Sequence, residues 1–99
     1  MEILVEASIG KKFPITLTKG GKTTTYIGIA SANTKPDERP YRITWFIPDL
    51  SINHHVDLTL DEMMAILEAK VFPPEIVQRV QLRYPKDDEL IGDTYRILA

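Results

Sequence analysis

His54, His55 and Asp57 form the one cluster in this sequence whose residue types suit the binding of a metal ion. Side chains two residues apart on a strand point to the same side, so His55 and Asp57 could supply two ligands, and Asp49 could supply a third. A catalytic metal site usually has three protein ligands held by surrounding hydrogen bonds, and nothing in this spacing requires Asp49 to join. We therefore expect the histidines to be solvent-exposed or held by structural hydrogen bonds, and we predict no metal.

Residues 20–23 read Gly-Gly-Lys-Thr, like the end of a phosphate-binding P-loop. The complete motif requires a glycine five residues before Gly21, where this chain has Thr16, and a helix after the threonine. A stretch rich in β-branched residues follows instead, so the glycines predict a hairpin turn. No serine lies in a G-x-S-x-G pattern, which would indicate a nucleophile. The acidic groups Asp61–Glu62 and Asp87–Glu89 lie at predicted helix starts, where capping explains them without catalysis. The sequence therefore predicts neither an enzyme nor a cofactor.

The aromatic residues offer a candidate binding surface. Trp45 and Phe46 are neighbours on a predicted strand, so they point to opposite faces of its sheet. If Trp45 faces the core, Phe46 lies on the outer face beside Arg42, and Tyr26 could join it. Such a patch could anchor a protein partner or stack the bases of a single-stranded nucleic acid, and burial under the C-terminal segment is the third alternative. The candidate binding residues are Arg42, Phe46 and Tyr26, with Lys19, Lys22, Lys35 and Arg39 as a charged rim.

One helix in the middle of the chain has the clearest local signals. Thr59 and Glu62 form a capping box, in which each side chain satisfies a backbone N–H group of the first turn. Leu58 and Met63 are placed to form a hydrophobic staple across the same turn. The apolar positions with helical spacing are Leu60, Met63, Met64, Leu67 and Val71. A strand that ends at Leu58 therefore leads into a helix packed on a sheet.

Alternating patterns predict five strands before that helix, at residues 2–8, 13–18, 23–32, 41–47 and 54–58. Pro14 cannot donate a ladder hydrogen bond, which predicts that its strand lies at a sheet edge or that Pro14 lies at a strand start. Gly28 indicates a bulge or a close backbone approach. The loop at 33–40 has prolines and charges but no large apolar residue.

The C-terminal part leaves two alternatives open. Pro73 and Pro74 end the first helix and can start a second, and helical spacing favours a helix over 74–83, although an alternating pattern also permits a strand. Residues 87–89 could cap a last short helix, or the segment 94–98 could pair as a strand. The predicted fold is α+β and single-domain: an antiparallel sheet of four to five strands over 1–58, followed by two to three helices packed on one face over 59–99.

Composition agrees with a folded domain and separates the charges. The chain has 99 residues, no cysteine and a net charge of −2. Residues 1–42 carry seven basic and four acidic side chains, whereas 43–99 carry five basic and ten acidic ones. No apolar run approaches the roughly 20 residues that span a bilayer, and the N-terminus lacks a basic leader. We expect a cytoplasmic protein that does not act at a membrane.

The segment Tyr41–Leu67 runs from Y-R-I-T-W-F through H-V-D-L-T-L-D-E-M into the capped helix, after a basic hairpin that contains glycine. This order resembles that of the PC4-like single-stranded-DNA-binding domains. The resemblance implies a helix that pairs two subunits and a basic sheet face that holds nucleic acid. The acidic net charge and the long segment after the helix depart from that pattern.

These observations favour a small non-enzymatic protein-binding domain, an adaptor or an inhibitor of a larger assembly, that acts through an aromatic and basic sheet face. The alternative is a single-stranded nucleic-acid-binding protein that uses the same face. A homodimer could accompany either function, through Met63, Met64 or the sheet edge that carries Pro14.

Overall fold

A computed structural model describes residues 2–32, 39–86 and 91–98. Lys35 and the proposed helix cap at 87–89 lie outside the described residues. Within these ranges, no helix has the length and the apolar composition that crossing a membrane would require.

Five strands form one antiparallel sheet, which confirms the predicted α+β class. They are β1 (Lys12–Lys19), β2 (Lys22–Ala32), β3 (Tyr41–Ile47), β4 (Ile52–Leu58) and β5 (Thr94–Ile97). The first four are joined in sequence and lie side by side, while β5 returns to pair with β1, giving the order β4-β3-β2-β1-β5. A short 3₁₀ helix (Pro48–Leu50) connects β3 to β4.

The prediction of a strand at residues 2–8 is wrong, because Glu2–Ser8 form a helix, α1. Seven residues are too few to separate a strand pattern from a helical one, and Leu4 already interrupts the alternation. Val5 is buried, and the Ser8 hydroxyl donates a 2.6 Å hydrogen bond to its carbonyl oxygen. Gly10 follows with a φ of 80°, and this turn carries the chain towards β1.

The capped helix, α2, spans Leu60–Ala69 and has the predicted capping box. The Glu62 N–H donates to Thr59 Oγ1 at 3.2 Å, and the Thr59 N–H donates to Glu62 Oε1 at 2.9 Å. The helix α3 spans Pro74–Arg83, so the helical alternative for that segment is confirmed. The helices pack on one face of the sheet, and Met63 of α2 is fully buried in the core. Met63 is therefore unavailable for the predicted self-association.

The edge beside β5 is covered by the connection between α2 and α3. The Ile97 N–H donates to the Lys70 carbonyl oxygen and the Phe72 N–H donates to the Tyr95 carbonyl oxygen, both at 2.9 Å. Val71 and Arg96 form an antiparallel bridge between these two bonds. The C-terminal segment thus belongs to the sheet, which decides the second open alternative in favour of a strand.

Two side chains from the α3 region satisfy backbone groups of β4 at the opposite edge. The His55 N–H donates to the Tyr84 hydroxyl at 2.9 Å. Arg79 Nη1 donates to the Asp57 carbonyl oxygen at 2.8 Å. Such contacts reduce the tendency of an edge strand to pair with another chain.

Pro14 lies near the start of β1, which is an interior strand, so the strand-start alternative holds and the predicted edge does not. Its carbonyl oxygen accepts a hydrogen bond from the Leu98 N–H at 2.9 Å. The pairing of β2 continues past Gly28 without a bulge. The Phe13 ring, rather than backbone, approaches this glycine, because an added Cβ would lie 2.8 Å from Phe13 Cε2.

Candidate binding face of the sheet

The sheet has one face covered by helices and one outer face that carries no described element. Alternation along β3 places Tyr41, Ile43, Trp45 and Ile47 towards the helices, as predicted. Trp45 is only 1% exposed, whereas its neighbour Phe46 is 44% exposed on the outer face. The predicted separation of these two aromatic residues is confirmed.

An apolar row crosses the outer face perpendicular to the strands. Phe46 lies opposite Ile27, Ile27 lies opposite Pro14, and Pro14 is hydrogen-bonded to Leu98. Ile27 is 65% exposed and Leu98 is 46% exposed. Phe46, Ile27, Pro14 and Leu98 are named the apolar row below. Because neighbouring strands lie about 4.8 Å apart, three steps between strands give the row a length of about 14 Å.

A surface hollow of about 300 Å³ lies beside the apolar row, at Phe46 and Ile27. Its other lining residues are Lys12, Gly28, Ile29, Thr44 and Asn53. The hollow gives the face a recess into which an apolar side chain of another molecule could fit.

Exposed cations flank the apolar row on both sides. Lys12 precedes Pro14 on the outer face of β1, and Arg96 precedes Leu98 on β5. Because β1 and β5 are antiparallel, the two cations lie on opposite sides of the row. Over the described strands, the charged residues of this face are Lys12, Arg42, Arg96 and Asp57. The face is therefore positive.

Arg42 and Asp57 are cross-strand partners that form an ion pair within the face. Arg42 Nε donates to Asp57 Oδ1 at 2.7 Å. Burial raises the pKa of Asp57, but the hydrogen bond and charge of Arg42 outweigh it, so the pKa lies below its ordinary value. The pKa of Arg42 is raised, chiefly by the same hydrogen bond. Arg42 thus holds β3 to β4, which makes it less available to a partner than the sequence predicted.

The strand separates the two histidines of the candidate metal cluster. His54 points into the core, where its ring stacks on Tyr84 at 3.9 Å between centroids. His55 lies on the outer face with Asp57, and burial together with the nearby Arg42 lowers its pKa. Within residues 2–32, 39–86 and 91–98, no group of three or more metal-binding side chains occurs.

Three predicted binding residues lie on the helical side of the sheet, so Tyr26 does not join Phe46, and Lys19 and Lys22 do not form a rim of the outer face. Tyr26 lies opposite the buried Ile15 and packs against the core, and burial raises its pKa. Lys19 and Lys22 are partners across the hairpin and line a small hollow with Tyr26. The many threonines of β2 gave no apolar pattern from which its inward face could be read.

Arg39, another member of the predicted rim, lies before the start of β3 and not on a strand of the outer face. Arg39 is exposed, and its charge acts on Glu62 at the start of α2. Lys35 lies outside the described residues. Of the predicted set, Arg42 and Phe46 therefore lie together on the outer face, and Lys19, Lys22 and Tyr26 lie together on the other.

Four residues of the outer face were not predicted from the sequence: Ile27, Leu98, Lys12 and Arg96. A signal for Ile27 was present, because a two-residue turn at Gly20 and Gly21 fixes the pairing that places Ile27 opposite Pro14. Leu98 and Arg96 had no such signal, since their strand pairs with a segment about 80 residues away in the chain.

Comparisons with protein-family models, with curated proteins and with solved structures gave no significant match to this chain. The resemblance of Tyr41–Leu67 to the PC4-like domains therefore rests on the order of β3, β4 and α2 alone.

Proposed function

We propose that this chain is a small non-enzymatic protein-binding domain, an adaptor or an inhibitor of a larger assembly, whose outer sheet face holds its partner. The observation that carries this proposal is the apolar row, in which three of the four residues are large and at least 44% exposed. Contiguous exposed apolar groups on a folded domain are typical of interaction sites, whereas single exposed ones are not. An aromatic anchor within such a patch is typical of an interface hot spot.

The contacts at the sheet edges support binding through the face. A partner that added a strand beside β5 would have to displace residues 70–72. One that added a strand beside β4 would have to displace the Tyr84 hydroxyl and the Arg79 guanidinium. A partner that lies on the face needs neither change. The absence of cysteine supports our expectation that this binding occurs in the cytoplasm.

The double substitution of Ile27→Thr and Phe46→Thr tests the proposal. The measurement is capture of the partner from a lysate of cells that naturally produce the chain. We expect the variant to retain about tenfold less partner than the wild type, because it lacks the two large side chains that anchor the apolar row. The free energy of unfolding should change by only about 0.5 kcal/mol per site, because both side chains are exposed.

Leu82→Thr is the matched control, since Leu82 is 74% exposed on α3, on the other side of the molecule. It should retain the partner at the wild-type level. Equal retention by the double variant and the wild type would remove the outer face as the binding surface.

Single-stranded nucleic acid is the second candidate for the same face. The observation in its favour is the exposed Phe46 ring with Lys12 and Arg96 nearby, since such rings stack bases while cations contact phosphates. The placement of Tyr26 on the opposite face reduces this support. Fluorescence anisotropy of labelled single-stranded and duplex oligonucleotides, titrated with the chain at two salt concentrations, distinguishes a nucleic acid from a protein partner. Binding that prefers single strands and weakens steeply with salt would favour this candidate over a protein partner.

A further inference from the structure

The outer face indicates the secondary structure and the charge of its partner, on the assumption that the proposed function is correct. We infer that the outer face binds an amphipathic α-helix of about three turns, whose apolar stripe lies along the apolar row and whose flanking residues are acidic. The spacing of the row and the charges beside it carry this inference.

The spacing of the apolar row matches a helix better than an extended segment. Its members lie on adjacent strands, so they recur about every 4.8 Å. An α-helix repeats its apolar stripe every turn, about 5.4 Å, whereas same-side residues of an extended segment recur about every 6.7 Å. Over the row's length of about 14 Å, a helix accumulates a mismatch of under 2 Å and an extended segment one of nearly 6 Å.

The charges beside the row favour acidic residues on both flanks of that helix. Lys12 lies on one side of the row and the exposed Arg96 lies on the other. Asp57 is the one acidic residue of the face among the described strands, and it is paired with Arg42. An acidic helix would meet complementary charge on both sides, which favours association and orients it.

A second copy of this chain fits the face less well. Two outer faces packed together would bring Lys12 and Arg96 of each copy against a surface of the same sign. Like charges at such an interface oppose association. Charge complementarity thus selects an acidic partner over self-association of this face.

A titration of the isotope-labelled full chain with a synthetic helix tests the inference. The probe is a capped peptide of about fourteen residues, with leucines at i, i+3, i+4 and i+7 spacing and glutamates on both flanks. We expect shifts of backbone amide signals concentrated in β1, β2, β3 and β5. A peptide with lysines in place of the glutamates should bind about tenfold more weakly, and one with scrambled leucines should not bind.

Charge reversal in the protein supplies the matched control. The double substitution of Lys12→Glu and Arg96→Glu should weaken binding of the acidic peptide about tenfold or more and improve binding of the lysine peptide. Lys22→Glu, on the helical side of the sheet, should change neither. Absence of binding by the acidic peptide, or shifts confined to α2 and α3, would overturn the inference.

The capture experiment separates this inference from the proposed function. If Ile27→Thr with Phe46→Thr abolishes partner capture but the acidic peptide does not bind, the face is a binding surface and the helical partner is refuted. If the double variant captures its partner normally, the proposed function fails as well. Concentration-dependent shifts of the same signals without peptide would instead identify a second copy as the occupant, which also overturns the inference.

Discussion

Replacement of Trp45 by alanine should lower the free energy of unfolding by about 3–5 kcal/mol, a large part of the stability of a domain of this size. Trp45 is 1% exposed and lies at the centre of a buried aromatic cluster. Its ring centroid lies 5.3 Å from that of Tyr95, 6.0 Å from that of Phe72 and 6.1 Å from that of His54. Truncation would leave a cavity among side chains that the sheet and the helices hold in place.

Phe46→Ala is the matched control for Trp45→Ala, because the two residues are adjacent in β3 and point to opposite faces. Its effect on stability should be about 0.5 kcal/mol or less. Urea denaturation followed by far-ultraviolet circular dichroism is the measurement, since Trp45 is the single tryptophan and its fluorescence is lost in the variant. Comparable losses for the two variants would show that the outer face is also part of a core.

Trp45→Phe should cost less than Trp45→Ala, for two reasons. The phenyl ring retains most of the packing, and the Trp45 Nε1 group is buried without a hydrogen-bond partner among the described residues. Removal of an unpartnered donor offsets part of the lost contact, so we expect a loss of about 1–2 kcal/mol. A loss as large as that of alanine would mean that the indole N–H has a partner.

The second large effect is expected for Arg79→Met, which should lower the free energy of unfolding by about 2–3 kcal/mol. Arg79 joins three elements, because it bonds both carboxylate oxygens of Glu62, at 3.1 and 2.7 Å, and the Asp57 carbonyl oxygen, at 2.8 Å. Methionine retains the packing but leaves these half-buried oxygens with fewer donors. Gln78→Ala, an exposed position on the same helix, should change stability by about 0.5 kcal/mol or less.

The same contacts give stability a dependence on acid pH. Burial raises the pKa of Glu62, but the bonds from Arg79 and the Thr59 N–H outweigh it and lower the pKa below its ordinary value of 4.5. The unfolded chain therefore takes up the proton first, so the stabilisation is complete above about pH 4.5 and is lost as the pH falls through the lowered pKa. Glu62→Gln should make denaturation midpoints less dependent on pH as the pH falls below the ordinary value of 4.5. An unchanged pH dependence would contradict this role of Glu62.

Sequence patterns predicted the elements whose signals are local. The capping box at Thr59 and Glu62 uses residues within one helical turn, and the glycine turn lies between two strands that follow each other directly. The alternation in β3 was correct because each inward position is apolar and each outward position except Phe46 is polar. In each case one short stretch of chain contains the physical cause of its own structure.

The open alternatives and the errors fall where a structure depends on residues elsewhere in the chain. The alternatives at 94–98 stayed open because the hydrogen bonds that make Thr94–Ile97 a strand come from β1 and from residues 70–72. Glu2–Ser8 form a helix although apolar residues alternate along them as in a strand, and this helix packs against α2 with Val5 in the core. Tyr26 was assigned to the outer face because its threonine-rich surroundings do not distinguish the two faces of β2.

The candidate site could be predicted only in part for the same reason. Phe46 was identified from its place beside Trp45 in a single strand. The apolar row, however, takes one member from each of three strands and the residue just after β5, and an interaction surface of this kind exists only once the order of the strands is known. The charged flanks, Lys12 and Arg96, come from opposite ends of the chain.

Site-specific photo-crosslinking tests the outer-face proposal most directly. A photoreactive phenylalanine analogue is placed at position 46, or at position 82 on α3 in a matched protein, and each is irradiated in a lysate of the cells that encode the chain. We predict a discrete crosslinked protein from position 46, absent from position 82 and competed by excess wild-type chain. Crosslinks of equal yield from both positions, or from position 82 alone, would contradict the assignment of the outer face as the binding surface.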